Sequence, residues 1–370
     1  MKQPHGVVVG AGMVGAACAG ALARQNWQVT VIEAGTVGGG STAAGMGHLV
    51  VMDDSPTQLA LTSLSLQLWE ALAPQLPPQA DYRRCGTLWV ASDEEELLGV
   101  RPKQQQYLSA GREATMLDAA ELARHEPSLR PGLAGGLRVP DDAVVYAPVV
   151  ARFLIERAGA EVVQGEVVAL DGRGVRLTDG RTLSADLVVV AGGADASALL
   201  PELPLRPRKG HLLITERTSL KVNHQLVELG YLKSAHGTET DSVAFNVQPR
   251  PTGQLLIGSS RQFGQMDKQI DWPLLRRMLG QAAEFLPDLP QVNALRIWTG
   301  QRSASPDHLP IVGPHPDRPG VYLAVGHEGL GITTALATAE LLRAHLAGQP
   351  SPLPGAALGL ERFAAGGHHA

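Results

Sequence analysis

Residues 6–15 read Gly-Val-Val-Val-Gly-Ala-Gly-Met-Val-Gly, and residues 29–33 read Val-Thr-Val-Ile-Glu. Together they predict a strand, a glycine-rich turn, a helix, and a second strand that ends in a carboxylate. Gly10 allows the tight turn, Gly12 lets the backbone approach a pyrophosphate, and Gly15 lets the helix pack closely on the strand. Because a helix N-terminus favours an anion, the stretch predicts a dinucleotide site whose terminal carboxylate binds the ribose hydroxyls.

The same uncharged stretch, from Gly6 to Ala23, also has the length of a signal peptide or a short membrane span. Its spaced glycines and the polar residues 24–26 that follow it favour a soluble helix instead. Cleavage would also remove the strand and helix of the nucleotide-binding unit. We therefore expect no membrane span in the chain and a cytoplasmic protein.

Composition limits the possible functions. The chain has 370 residues with 44% hydrophobic content, enough for two domains. Its net charge of −5, without a basic block, argues against nucleic-acid binding. The two cysteines, Cys18 and Cys85, are too few for an iron–sulfur cluster or a four-thiolate zinc site. We expect no metal, and we expect Cys18 to be a small core residue.

Several later stretches predict regular structure. A helix is expected from Pro56 to Ala73, and exposed helices are expected between Asp93 and Arg130. The apolar run from Leu187 ends in Gly192 and Gly193 and predicts a buried parallel strand beside residues 6–10. Between Lys209 and Trp298, apolar and polar residues alternate, which predicts a second sheet.

A second strand-to-helix junction lies near the carboxyl end. Strand 321–325 leads into Gly326-His327-Glu328-Gly329-Leu330-Gly331-Ile332-Thr333, which opens a helix that ends at Leu346. The N-terminus of this helix can face an electron-rich ligand. Two nucleotide-binding elements about 300 residues apart suggest one extended cofactor.

In their order along the chain, these motifs resemble those of the D-amino acid oxidase-like flavoproteins, which include glycine oxidase, sarcosine oxidase and hydroxyproline dehydrogenase β-type subunits. The resemblance covers nearly the whole chain and also includes residues 41–47 and 249–259. It implies an α/β fold with a Rossmann-like FAD-binding domain (parallel sheet, glutathione-reductase-like topology) and a substrate domain with a mixed or antiparallel sheet. The implied division assigns 1–84, 142–208 and 300–370 to the first domain, and 85–141 and 209–299 to the second.

The resemblance also implies that the cofactor is FAD. We expect it to be non-covalent, because Cys85 is not placed like the cysteine that anchors flavin in monomeric sarcosine oxidases. The implied cofactor-binding residues are Gly10, Gly12, Met13, Val14, Gly15, Glu33, Ala34, Ser41, Thr42, Ala44, Gly45, Met46, Gly47, Val167, Gly192, Gly193, Gly300, Arg302, His327, Glu328, Gly329, Leu330, Gly331, Ile332 and Thr333.

Five residues are candidates for the substrate site. A guanidinium can hold a carboxylate bidentately, and Arg302 stands in a Gly-x-Arg segment like that of the family's carboxylate-binding arginine. Tyr231 and Phe245 occupy a segment where family members place substrate-contacting aromatics, although either could equally be core. His48 could line the isoalloxazine face or be a satisfied structural histidine. Glu328 could bind an amine or compensate a backbone N–H.

The activity implied is FAD-dependent oxidation of a small amino or imino acid, with hydride transfer from Cα to flavin N5. D-hydroxyproline and D-proline lead the expected substrates, followed by glycine and sarcosine. The electron acceptor would be oxygen or partner subunits that carry iron–sulfur clusters or flavin. Two alternatives stay open: the FAD- and substrate-binding β subunit of a heteromeric dehydrogenase, and an FAD-fold module that modifies tRNA or a carrier-bound substrate.

Overall fold

In the computed structural model, which describes residues 2–171, 174–230, 241–353 and 358–363, the valine-rich amino-terminal stretch is a buried strand. The strands are β1 His5–Val9, β2 Gln28–Glu33, β3 His48–Leu49, β4 Thr87–Ala91, β5 Thr115–Asp118, β6 Gly135–Val139, β7 Ala143–Val144, β8 Glu161–Gln164, β9 Val167–Leu170, β10 Gly174–Leu177, β11 Thr182–Ser184, β12 Leu187–Val190, β13 Arg206–Arg217, β14 Gln225–Glu228, β15 Ser242–Pro249, β16 Gln254–Phe263, β17 Ala294–Ala304, β18 Ile311–Pro314 and β19 Val321–Val325. The helices are α1 Met13–Arg24, α2 Gly40–Ala44, α3 Pro56–Leu72, α4 Glu94–Gly99, α5 Arg101–Ser109, α6 Ala119–His125, α7 Ala147–Arg157, α8 Ala196–Leu199, α9 Trp272–Phe285 and α10 Gly331–Leu346.

A six-stranded sheet carries the nucleotide-binding motif. Its order is β18-β19-β12-β1-β2-β8, and every pair is parallel except β18 with β19. Residues 6–9 of β1 and 187–190 of β12 are apolar because both faces of the sheet are covered, one by helices that include α1 and the other by the three-stranded sheet β11-β10-β9. Helix α1 is rich in alanine and glycine, which lets it pack closely between this sheet and the helices α7 and α10.

An eight-stranded sheet forms the second layer, in the order β17-β13-β16-β15-β14-β4-β6-β5. Its pairs are antiparallel except β14 with β4, which makes it a mixed sheet. Phe245 and Val247 on β15 pack against α9 in one core cluster, whereas Trp89 and Val227 on β4 and β14 belong to the core cluster of the first layer. The second sheet therefore turns one face towards α9 and the other towards the nucleotide-binding layer.

Short elements connect the layers. The ribbon β3–β7 pairs His48 with Val144. Helix α10 is tied to this ribbon, since the Thr333 hydroxyl donates to the His48 carbonyl over 2.8 Å. The Trp298 indole N–H on β17 donates to the Ala44 carbonyl at the end of α2 over 3.3 Å. These contacts bring the three predicted ligand-facing segments together.

The predicted fold class is confirmed, and most predicted elements begin and end within two residues of their expected bounds. The segment from Asp93 to Arg130 differs, because it contains the strand β5 as well as helices, and the side chains of Lys103, Tyr107 and Arg112 are buried. Cys18 is fully buried in the core, as expected. The division into two domains stays a prediction.

Among the residues described, no helix combines the length and apolar character needed to cross a bilayer. Over the same ranges, no group of three His, Cys, Asp or Glu side chains is arranged to hold a metal ion.

Candidate functional site

The glycine-rich turn has the backbone geometry that its sequence predicts. Gly10 has a φ of +103°, a conformation that favours glycine. A Cβ at Gly15 would lie 1.9 Å from the Gly10 carbonyl oxygen, so a side chain there would push helix α1 off the strand. The Glu33 carboxylate accepts the Ala11 and Gly35 N–H groups, each over 2.7 Å. Since a carboxylate can accept about four hydrogen bonds, Glu33 keeps capacity for two ribose hydroxyls.

The N-terminus of α1 faces the hydroxyl group of Thr42. The Met13 N–H donates to Thr42 Oγ over 3.0 Å. A Cβ at Gly12 would meet only that oxygen, at 3.2 Å. A glycine turn at a helix N-terminus, faced by a hydroxyl from α2, fits a pyrophosphate.

The predicted adenosine end lies at the carboxyl edge of β2. The Gln164 amide donates to the carbonyls of Ala34 and Gly35, over 2.8 Å and 3.1 Å. Val167 begins β9 just beyond Gln164 and is partly buried. Gly193 has a φ of +59°, and a Cβ there would contact nothing within 4 Å. The backbone at this edge is accessible to a ligand.

The two predicted nucleotide-binding elements meet. A Cβ at Gly331 would lie 3.9 Å from Val14 Cγ2, which places the N-terminus of α10 beside that of α1. A Cβ at Gly45 would lie 3.1 Å from Ile332 Cδ1. Residues 41–47 and 326–333, far apart in sequence, therefore line one region.

The second sheet covers this region. A Cβ at Gly258 would lie 3.1 Å from Met46 Sδ, and one at Gly300 would lie 2.6 Å from Ala44 Cβ. The Ser41 hydroxyl donates to the Gln301 carbonyl. Glycine on β16 and β17 thus allows close approach of the sheet to the loop that is expected to hold the cofactor.

Arg302 and His48 lie at the centre of this interface. The Arg302 Nη2 atom would be 3.0 Å from a Cβ at Gly210, so the guanidinium lies across β13. His48 is partly exposed, but its Nε2 atom is buried and has no hydrogen-bond partner among the described residues. Burial first, and then the charge of Arg302, lower the pKa of His48 to about 4. His48 is therefore neutral at pH 7, and the local positive charge resides on Arg302.

An acid–base cluster flanks Arg302. Glu328 has a φ of +49°, and its carboxylate pairs with the Arg208 guanidinium and with His308 Nδ1, the latter over 3.1 Å. Burial would raise the pKa of Glu328, but the hydrogen bond with His308 and the charges of Arg208, His308 and Arg261 lower it to about 2. Arg208 stands directly opposite Arg302 in the β13–β17 pairing. Glu328 thus compensates the charge of Arg208, the arginine next to Arg302.

Removing this compensation should destabilise the fold. Glu328→Gln leaves the Arg208 charge buried without its ion pair, so we expect a loss of about 3–5 kcal/mol in the free energy of unfolding. Glu340→Gln is the control, since its pair with Arg343 joins two more exposed side chains on one helix and should cost less than about 1 kcal/mol. Urea unfolding measures both. Equal losses would contradict the assigned role of Glu328.

Buried histidines predict a pH dependence of stability. His327, whose Nε2 lies 2.9 Å from Thr338 Oγ, resembles His48 in that burial lowers its pKa to about 4, against an ordinary 6.5. The unfolded chain therefore binds more protons between these values. The contribution of the two neutral histidines to the free energy of unfolding is fully present above pH 6.5 and is lost as the pH falls through about 4. Burial raises the pKa of Asp142 to about 7, which acts in the opposite direction over the same range, so comparing urea unfolding of the parent with that of a variant without both histidines isolates this loss.

The loss should be smaller in the double variant His48→Gln with His327→Gln. The exposed His345 supplies the control, and His345→Gln should retain the parent's pH dependence. A double variant that loses stability as steeply as the parent on acidification would show that other groups cause the dependence.

Phe245, one of the two aromatic residues predicted to contact the substrate, lies away from this grouping. Phe245 is fully buried and stacks on Phe285 with a centroid distance of 4.3 Å, on the face of the sheet that covers α9. The structure therefore places Phe245 in the core, which is the alternative that the sequence left open for this residue. Tyr231 lies outside the described residues. Sequence reasoning missed Arg208 and His308, which reach the site only through strand pairing and a loop contact.

These features define the class: an α/β nucleotide-binding protein in which a second sheet covers the cofactor region. The FAD dependent oxidoreductase family model matches residues 6–345, and the chain belongs to this family. Members of this family depend on FAD, which confirms the expected cofactor. The residues of both glycine turns fit FAD.

Individual relatives are similar over most of their length. Glycine oxidase of Geobacillus kaustophilus is 29% identical over 361 residues, covering 90% of this chain and 92% of the relative. The hydrogen cyanide synthase subunit HcnC of Pseudomonas aeruginosa is 28% identical, with 91% and 90% covered. The crystal structure of the Geobacillus kaustophilus glycine oxidase superposes with a TM-score of 0.86 at 26% identity, covering 97% of this chain and 99% of that one.

Proposed function

We propose that this FAD-dependent oxidoreductase oxidises a small amino or imino acid at its Cα. The observation that carries the proposal is the position of the Arg302 guanidinium, across β13 and beside the neutral His48, where the sheet covers residues 44–47. A guanidinium in this place can fix a substrate carboxylate by two parallel hydrogen bonds. FAD, when bound, supplies the acceptor for the hydride from Cα.

The protein's own residues set the substrate's orientation and charge. Arg302 binds the carboxylate and so places the Cα–H bond. His48, neutral at pH 7, presents an imidazole without adding a second positive charge that would oppose an amine. Glu328 compensates the charge of Arg208, so this buried pair adds no net charge beside the substrate carboxylate.

FAD is held non-covalently in this proposal. Burial raises the pKa of Cys18 to about 12 and that of Cys85 to about 11. Both thiols are therefore protonated at pH 7, and a thiol is a much weaker nucleophile than a thiolate. The glycine turns and the Glu33 carboxylate hold the cofactor instead.

The expected substrates are D-hydroxyproline and D-proline, then glycine and sarcosine. One relative is a glycine oxidase, which supports the inclusion of glycine. Another is a subunit of hydrogen cyanide synthase, which supports the alternative that the chain works as one subunit of a larger enzyme. A tRNA-directed role is disfavoured by the net charge of −5.

The experiment mixes the purified yellow protein anaerobically with a panel of these four compounds and the enantiomers of the chiral ones, and follows the flavin absorbance. Bleaching by one compound supports the proposal and names the substrate. Admitting oxygen then separates an oxidase, which recolours rapidly, from a dehydrogenase that needs a partner or an artificial acceptor. A protein that binds FAD but is bleached by none of the panel contradicts the proposal.

A further inference from the structure

The Arg302 guanidinium lies against a gap in the side-chain cover of the second sheet, at Gly210 on β13. A Cβ built on Gly210 would lie 3.0 Å from Arg302 Nη2 and 3.3 Å from Arg302 Cζ. Because non-bonded heavy atoms pack best about 3.5–4.0 Å apart, no side chain fits between the guanidinium and the strand. The guanidinium therefore rests on the main chain of β13, at a position where glycine leaves it uncovered.

Strand register explains why this arginine meets that glycine. In the pairing of β13 with β17, Arg302 stands opposite Arg208, and Gly300 stands opposite Gly210. Paired residues project to the same face of a sheet, and so do residues two positions apart on one strand. Gly210 is thus the diagonal neighbour of Arg302 on that face, about 7–8 Å away and within reach of a long side chain.

Arg208 leaves this space to Arg302. Its guanidinium pairs with the Glu328 carboxylate and lies 4.5 Å from the centre of the Phe263 ring. Phe263 is the partner of Arg208 on β16, the strand on the other side of β13 from β17. The two neighbouring guanidinium groups are therefore held apart, and only that of Arg302 lies on Gly210.

The glycine opposite Gly210 lies against the loop that is expected to hold the cofactor. A Cβ at Gly300 would lie 2.6 Å from Ala44 Cβ, so Ala44 also approaches the main chain of the sheet. One pair of opposed glycines therefore receives the Arg302 guanidinium on β13 and Ala44 on β17. The backbone at this pair sets how far the guanidinium lies from residues 44–47.

A side chain at position 210 would change that distance. Its Cβ would lie between the sheet and the guanidinium, and an ordinary contact would lift the Arg302 guanidinium off the strand by about 0.5–1 Å. A displacement of about 1 Å in a group that orients a substrate can lower the rate by about 100-fold. We propose, resting on the proposed function, that Gly210 is a positioning residue for the reaction. By lacking a side chain it sets the place of the Arg302 guanidinium, and so the place of the substrate's carboxylate and Cα.

The test replaces Gly210 by alanine and measures the apparent second-order rate constant for anaerobic flavin reduction by the best substrate of the panel. We expect Gly210→Ala to lower this rate constant by about 30- to 100-fold while the affinity for FAD stays that of the parent. The control is Gly280→Ala on α9, where an added methyl group would meet nothing within 4 Å. This control should keep the parent's rate constant. The parent's rate constant in Gly210→Ala would overturn the proposal.

Strain within the sheet is the competing cause of any loss, because the added methyl group would also lie 3.0 Å from the Ser260 carbonyl oxygen on β16. A double-mutant cycle with Arg302→Met separates the two causes. If Gly210 acts through the guanidinium, Gly210→Ala should change the rate constant less than about threefold in the Arg302→Met background. Equal fold losses in both backgrounds would assign the effect to strain and overturn the positioning role.

A second readout does not depend on turnover. Pyrrole-2-carboxylate carries a carboxylate on a planar ring but has no Cα–H bond to break, and calorimetry gives its dissociation constant for the FAD-bound protein. We expect Gly210→Ala to raise this constant about tenfold and Gly280→Ala to leave it unchanged. Equal constants in the parent and Gly210→Ala would contradict the positioning role alone. A parent that neither binds this carboxylate nor is bleached by the panel would contradict the proposed function, and with it the positioning role.

Discussion

Replacing Arg302 by methionine should lower kcat/KM for a carboxylate substrate by about 100-fold, or about 2.7 kcal/mol. Methionine keeps much of the side chain's volume but has no N–H groups to donate to the carboxylate. The substrate then loses both its charge partner and the orientation of its Cα–H bond. Rates of anaerobic flavin reduction, expressed per bound flavin, separate this loss from any change in FAD content.

The matched control for this variant is Arg277→Met, which removes an exposed arginine on α9 and should leave the kinetics unchanged. Arg302→Lys should recover only part of the lost rate, because an ammonium group cannot make the planar bidentate contact. If Arg302→Met has the parent's kinetics, the carboxylate is bound elsewhere and the site assignment is wrong.

Gly12→Ala should weaken FAD binding by about 100-fold, or about 2.7 kcal/mol. The added methyl group would meet only Thr42 Oγ in the protein, at 3.2 Å, so the fold can accept it. It would nevertheless occupy the place where the backbone must approach the pyrophosphate. Flavin absorbance after purification and titration of the apoprotein with FAD measure the effect.

Gly20→Ala on the same helix is the control. A methyl group there would meet only Arg24 Nη1, at 3.5 Å, and lies two turns away from the glycine turn. This variant should bind FAD like the parent. Equal FAD affinities in the two variants would show that the pyrophosphate does not lie against Gly12.

Local sequence patterns predicted the nucleotide-binding layer well, because its chemistry lies in short contiguous motifs. The turn around Gly10 requires glycine for reasons of backbone geometry alone, and Glu33 follows from the end of the next strand. The run from Leu187 has no polar residue until its glycines, which suffices to place it as a buried parallel strand beside β1. Each of these inferences needs only one segment of the chain.

The substrate side of the site could be predicted only in part. Arg302 was found because it stands in a recognisable segment, but Arg208 becomes its neighbour only through the pairing of β13 with β17. Phe245 and Asn246 are adjacent in sequence, and only the register of β15 shows which of them faces the cofactor region. A shift of one residue in the register of β15 would exchange the residue that faces the core with the residue that faces the cofactor region. A single sequence does not determine that register.

The most direct test of the account is the anaerobic reaction of the FAD-bound protein with its best small amino or imino acid, in protiated and Cα-deuterated forms. We expect the flavin to bleach, and to bleach several-fold more slowly with the deuterated compound, because the Cα–H bond breaks in the step that reduces the cofactor. A flavin that stays oxidised with every such compound, while the protein is folded and saturated with FAD, would contradict hydride transfer from Cα.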